Sequence, residues 1–168
     1  MVLLQLYKHM ETLTVELSSL QSTGWTEQEQ KNVAVITDFI QKLMNEHDFE
    51  YIDRNFGHHN YMQHNRNMTE GIAGVIKTVS DTVKRYPDYT YDVKHIHADG
   101  DFVTFHSHVT LNKAHRGNDK KGLNIMDTWR VLDGQIREHW DAIQPIDRSM
   151  RLFMLLNGGA IRNGNGVF

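Results

Sequence analysis

Along the chain, hydrophobic positions first recur with a helical rhythm and later alternate. Leu3, Leu6, Met10, Leu13, Leu17 and Leu20 follow one another at spacings of three and four, the narrow apolar stripe of a helix that needs a partner. The pattern predicts an accessory N-terminal helix within residues 1–25, docked on its own domain or packed on a second subunit. Ser22 to Trp25 break it. Thr26, with Glu29 three positions on, opens a second helix through a capping box; it runs to about Glu46 with Val33, Ile36, Phe39, Ile40 and Leu43 on its inner face. A shorter helix is expected over Phe49 to Phe56. Tyr61 to Asn65 reads as a short strand with Tyr61, Gln63 and Asn65 on one side and Met62 and His64 on the other. From about Thr69 to Arg85, Ile72, Val75, Ile76, Val79 and Val83 make a further helical stripe, stopped by Tyr86-Pro87. Gly71 and Gly74 within it suggest a close approach of helix to sheet.

Alternation takes over at Tyr89. Tyr89 to His97 and Phe102 to Asn112 read as strands joined at Asp99-Gly100. If Ala98 pairs with Asp101, then Tyr89, Tyr91, Val93, His95 and His97 share a face with Phe102, Thr104, His106, His108 and Thr110. Ile96, Val103, Phe105, Ser107, Val109 and Leu111 form the opposite, apolar face. After a loop over Lys113 to Lys120, Lys121 to Ile146 forms two strands around Asp133-Gly134, a pair that tolerates the positive φ of a tight hairpin. With Leu132 opposite Gln135, strict alternation places Asp127 opposite Trp140 and Trp129 opposite Glu138. Leu123, Ile125, Asp127, Trp129, Val131, Ile136, Glu138, Trp140 and Ala142 then share the apolar face, with His139 and Asp141 on the other. Matching Leu111 with Leu123 would make that face continuous with Ser107 and Phe105; a bulge would undo it. After Pro145, Asp147 can cap a last helix to about Leu156, followed by a Gly/Asn-rich tail.

Helices, a short strand, a helix and then four antiparallel strands give an α+β fold, helices packed on one face of a strongly curved antiparallel sheet. At 168 residues and with no linker, the chain reads as a single domain, 1–168, in which 147–168 form a C-terminal helix and tail. A net charge of −3 provides no basic field to gather nucleic acid. Cysteine is absent, which removes disulfides, thiol nucleophiles and thiolate metal sites. The N-terminus lacks a basic region followed by a long apolar run, so no membrane partner and a cytoplasmic location are expected.

Composition changes the picture less than one residue does. Asp127 lies on the apolar face between two indoles, and a buried acid is costly unless paired or protonated. Burial should raise its pKa and leave it able to exchange a proton with a carbon acid.

The run MDTWRVLDGQIREHWD, with YMQHN at Tyr61 to Asn65, DGDFVTFHSH at Asp99 to His108 and Gln144, resembles the SnoaL-like polyketide cyclases of the nuclear-transport-factor-2-like superfamily over roughly residues 27–146. The resemblance implies a cone-shaped fold with a deep pocket for a small apolar ligand or substrate, and a cofactor-independent lyase or isomerase, by aldol-type cyclisation or proton transfer on a carbonyl compound. It implies Asp127 as acid/base with His64 assisting, and Tyr61, Phe105, His106, His108, Trp129 and Trp140 as substrate-binding residues. A homodimer through the sheet face is expected, and the N-terminal helix, which lies outside the resemblance, is a further contact if it packs on a second subunit rather than on its own domain. For His106 and His108 the resemblance conflicts with alternation, which sets them on the face opposite Ser107 and Asp127; one bulge would exchange the faces.

Three other readings stand beside it. The same fold can serve as a non-catalytic ligand-binding or dimerisation module. Trp129 and Trp140 could be core alone. His95, His97, His106 and His108 on one hairpin face could share a divalent metal, although no carboxylate is placed to support them, and neither metal nor cofactor is expected. No G-x-S-x-G, H-E-x-x-H, P-loop or dinucleotide fingerprint occurs.

Overall fold

The turn at Asp133-Gly134 forms as the alternation requires, with φ of 51° at Asp133 and 71° at Gly134, the left-handed pair that matches the twist of its flanking strands. A computed structural model describes residues 12–157 and 162–166. In chain order it has α1 (Leu17–Leu20), α2 (Glu27–Ile40), α3 (Phe49–Phe56), β1 (Met62–Gln63), α4 (Gly71–Arg85), β2 (Thr90–Asp99), β3 (Phe102–Thr110), β4 (Leu123–Leu132), β5 (Gln135–Pro145) and α5 (Arg148–Asn157).

The strands make one sheet in the order β1-β5-β4-β3-β2. The fold is α+β, as expected, with one change: β1 joins the edge parallel to β5, so the sheet is mixed. The helices cover one face. Ile36, Phe39, Ile40, Leu43, Ile52, Ile72, Val75 and Val79 bury against Val103, Phe105, Val109, Ile125, Trp129, Val131 and Ile136. The capping box at Thr26 and Glu29 is closed in both directions. Beyond α2 the helix widens into a π turn over Gln41–Asn45, which turns Asn45 toward the sheet. There Asn45 Oδ1 accepts from the Thr90 hydroxyl and the Tyr91 N–H, each at 2.8 Å.

Two bulges reset the faces. In β2, Lys94 is an extra residue between the pairs Val93–Ser107 and His95–His106. Tyr91 and Val93 therefore face inward, while His95 and His97 face outward, where strict alternation had put all four together. In β5, Arg137 is the extra residue between the pairs Val131–Ile136 and Arg130–Glu138. From there on His139 lies opposite Trp129 and Asp141 opposite Asp127. Trp140, expected beside Asp127, instead points to the outer face, where its ring meets Phe102 at 6.2 Å. β3 and β4 keep their expected faces in a register shifted by two, with Phe105 opposite Asp127.

The expected N-terminal helix is corrected in part. Residues 12–16 are not helical, α1 is a single turn, and the first half of the leucine pattern lies outside the described residues. Gly74 is needed for a reason different from the one anticipated: a Cβ there would sit 2.1 Å from the Thr69 carbonyl oxygen, so the crowding comes from the preceding loop. α5 forms as expected, with Asp147 accepting from the Ser149 and Met150 N–H groups.

Candidate functional site

Alternation on β4 sends Asp127 and Trp129 to the inner face, and the slip at Arg137 brings His139 beside them. His139 Nε2 is 3.1 Å from Asp127 Oδ1. Asp127 Oδ2 is buried and, among the described residues, has no hydrogen-bond partner. On the other side of β5, β1 presents Gln63 in register with His139, and the His139 Nδ1 to Gln63 Oε1 distance is 3.0 Å.

The Gln63 amide decides where the protons lie. Its nitrogen donates to the Tyr61 hydroxyl at 2.9 Å and its oxygen accepts the Asn65 N–H at 2.8 Å. An oxygen can only accept, so His139 Nδ1 must carry a proton. The one proton left to move lies between His139 Nε2 and Asp127 Oδ1. Either Asp127 is a neutral acid donating to a neutral imidazole, or it is a carboxylate accepting from an imidazolium. Trp129 on β4, with its ring 5.1 Å from that of His139, and Tyr61 just ahead of β1, at 6.4 Å, stack on the imidazole. Phe105 packs edge-on to Trp129 at 5.5 Å. Behind these rings Asp127 and His139 are 4% and 5% exposed.

Burial accordingly raises the pKa of Asp127, with Asp141 adding to the rise and the His139 hydrogen bond opposing it. Burial also holds the Tyr61 phenol well above its usual range, so it remains a proton donor. Asn65 Nδ2 donates to Asp141 Oδ2 at 2.5 Å, which fixes the second carboxylate.

These groups open on a cavity of about 320 Å³. Tyr61, Gln63, Asn65, Asp127, Trp129, His139 and Asp141 line its floor, with Tyr91 and Ile125 beside them. Exposed residues of α4 and α5 and Arg162 complete its rim.

Of the residues singled out from sequence, Asp127, Tyr61 and Trp129 line this cavity, and Phe105 supports it from behind. The others lie on the outer face. His64 stacks on Trp140 at 4.5 Å and approaches Glu138 at 3.3 Å. His106 contacts His95, Nδ1 to Nδ1, at 3.0 Å and Asn124 Oδ1 at 2.6 Å; His108 bonds the Lys121 carbonyl oxygen. The bulge invoked for the two histidines falls in β2 and leaves β3 unturned. His139 and Asp141 were missed because period-two alternation from the turn assigned them outward, and no hydrophobic signal marks the slip. Gln63 and Asn65 carried a signal, since they share a side with Tyr61.

Among the described residues, the grouping close enough to hold a metal ion is Asp127, His139 and Asp141, whose donor atoms lie within 4.8 Å of one another. It is not the four-histidine set. No helix among the described residues is long and apolar enough to cross a membrane.

A family model described as the SnoaL-like domain matches residues 36–139. No curated protein matches the chain. Solved structures share the fold. A presumed polyketide cyclase from Bacillus cereus ATCC 10987 is 18% identical with a TM-score of 0.62, covering 84% of this chain and 99% of its own. A presumed ketosteroid isomerase from Kribbella flavida DSM 17836 is 17% identical at a TM-score of 0.54, covering 72% and 83%. AclR, a presumed hydroxylase from Streptomyces galilaeus, is 21% identical at 0.55, covering 77% and 97%.

Proposed function

We propose, from the premise that this chain belongs to the SnoaL-like domain family, that it is a cofactor-independent lyase or isomerase that moves a proton on a small apolar carbonyl compound. Asp127 is the acid/base. The supporting observation is its Oδ2, buried in the cavity and without a hydrogen-bond partner among the described residues, while Oδ1 is held by His139.

In the reactive form Asp127 is a carboxylate and His139 an imidazolium, a pair with no net charge. Oδ2 takes the proton from the carbon next to the substrate carbonyl, and the electron pair moves onto the carbonyl oxygen. Because the Tyr61 oxygen already accepts from Gln63, its own proton is free to be donated to that developing oxyanion. Asp127, now neutral, returns the proton to another carbon in an isomerisation. In an aldol-type closure, the enolate carbon attacks a second carbonyl, whose oxygen takes up the proton. Here His139 takes the assisting place first given to His64, which lies on the outer face.

The test is exchange of the α proton of a cyclic ketone with deuterated water, followed by NMR. Asp127→Asn should abolish exchange and keep the native near-ultraviolet circular dichroism. Exchange at an undiminished rate would remove Asp127 from the reaction.

A further inference from the structure

The cavity is electrically polarised from floor to rim. At the floor, Asp127, His139 and Asp141 offer donor atoms within 4.8 Å of one another; the Asp127–His139 pair carries no net charge, so the Asp141 carboxylate leaves the floor unfavourable to an anionic ligand group. The rim is the reverse. It contains Arg85, in the last turn of α4, and Arg162. The rim acid Asp81 is already engaged by Lys77 at 2.5 Å and Lys84 at 3.4 Å. Arg85 donates to the neutral Asn157 side chain at 3.2 Å. Among the described residues neither Arg85 nor Arg162 has a carboxylate partner.

Arg162 is held at the rim by the segment that carries it. Its own N–H donates to the Arg66 carbonyl at 2.7 Å, and the Asn163 amide donates to the carbonyls of Asn65 and Met68 at 2.9 and 3.0 Å. Asn165 donates to the Gln63 carbonyl at 2.8 Å and to Glu70, and His64 Nδ1 meets the Gly166 carbonyl at 2.7 Å. Residues 162–166 thus form a strap clamped to the segment after β1.

We infer that the substrate carries a carboxylate at the end remote from its reacting carbonyl, and that Arg85 and Arg162 bind it at the rim while the apolar body fills the cavity. This rests on the acid/base reading for which end points down. The rim itself acts through charge-assisted hydrogen bonds, and the Asp141 carboxylate at the floor disfavours the reversed pose. A cavity of about 320 Å³, near the small end of ligand pockets, suits one or two fused rings.

The test compares 2-naphthoate with its uncharged methyl ester, by quenching of tryptophan fluorescence and by calorimetry. The acid should bind about tenfold more tightly, the range expected of one or two charge-assisted hydrogen bonds at a partly exposed rim, and added salt should erode the preference. In the Arg85→Ala/Arg162→Ala double variant the preference should fall to within about twofold, and the double lysine variant should retain most of it. Equal affinity for acid and ester, or a preference that survives the double alanine change, overturns the inference. The two readings fail separately. Loss of the preference in the double variant, with undiminished α-proton exchange by Asp127→Asn, would sink the acid/base assignment and keep the rim.

Discussion

His139 Nε2 lies 3.1 Å from Asp127 Oδ1 because Arg137 occupies one more place on β5 than β4 can match. One unpaired residue turns His139 inward and Trp140 outward, so the pairing of acid and imidazole is a property of sheet register.

His139→Asn should therefore disable the relay. Asparagine can still bond Gln63 but provides no basic nitrogen to Asp127. The rate of α-proton exchange should fall by about a hundredfold or more, within the range for lost acid–base assistance. The pH dependence of exchange should flatten, because the shared proton is gone. Exchange rates across pH, with circular dichroism as the fold control, check this.

Gln63→Leu removes the acceptor that fixes the tautomer. The His139 Nδ1–H and Asn65 N–H would be left buried without their partner, which should cost about 1–3 kcal/mol of stability. Freed to place its proton on Nε2 alone, the imidazole would oppose a neutral Asp127, and the pH optimum should shift. Urea denaturation and a pH profile read the two effects. Stability within about 0.5 kcal/mol of the parent, below the usual cost of one such buried group, would contradict the network.

Asp127 should also cost the fold stability at neutral pH. Its pKa is raised by burial, so the native state binds more protons than the unfolded chain between the unfolded and native pKa values. Its contribution is fully present below the unfolded value near about 3.9 and is lost as pH rises through the higher native value. Asp127→Asn, neutral at every pH, should raise the melting temperature at pH about 8 and make little difference near pH about 4. A gain that is larger on the acid side would reverse the assignment.

The outer histidines should behave differently. His106→Ala breaks contacts with His95 and Asn124 on the far side of the sheet, and turnover should stay within about twofold, as expected of a residue outside the cavity. A hundredfold loss would place His106 in the chemistry after all. Steady-state rates are sufficient to decide.

Much of this was legible in the sequence, and the limits are physical. Thr26 and Glu29, Asp133-Gly134 and Asp147 each declare themselves because local geometry needs those side chains at those spacings. The inner faces of α2 and α4 followed from the helical period, and Asp127, Trp129 and Phe105 from alternation. The two bulges were not legible. At Arg137 the observed register turns His139 and Asp141 inward and leaves Trp140 on the outer face, where His64 and Phe102 cover it, contacts between distant segments that no local period encodes. His139, Gln63 and Asp127 therefore assemble only in three dimensions, across β1, β5 and β4.

The clamp made by residues 162–166 has a practical bearing. The wall that orients His139 is fastened by asparagines about a hundred positions downstream, so trimming the chain after Asn157, or nicking it there with a protease, should impair the site without cutting any floor residue.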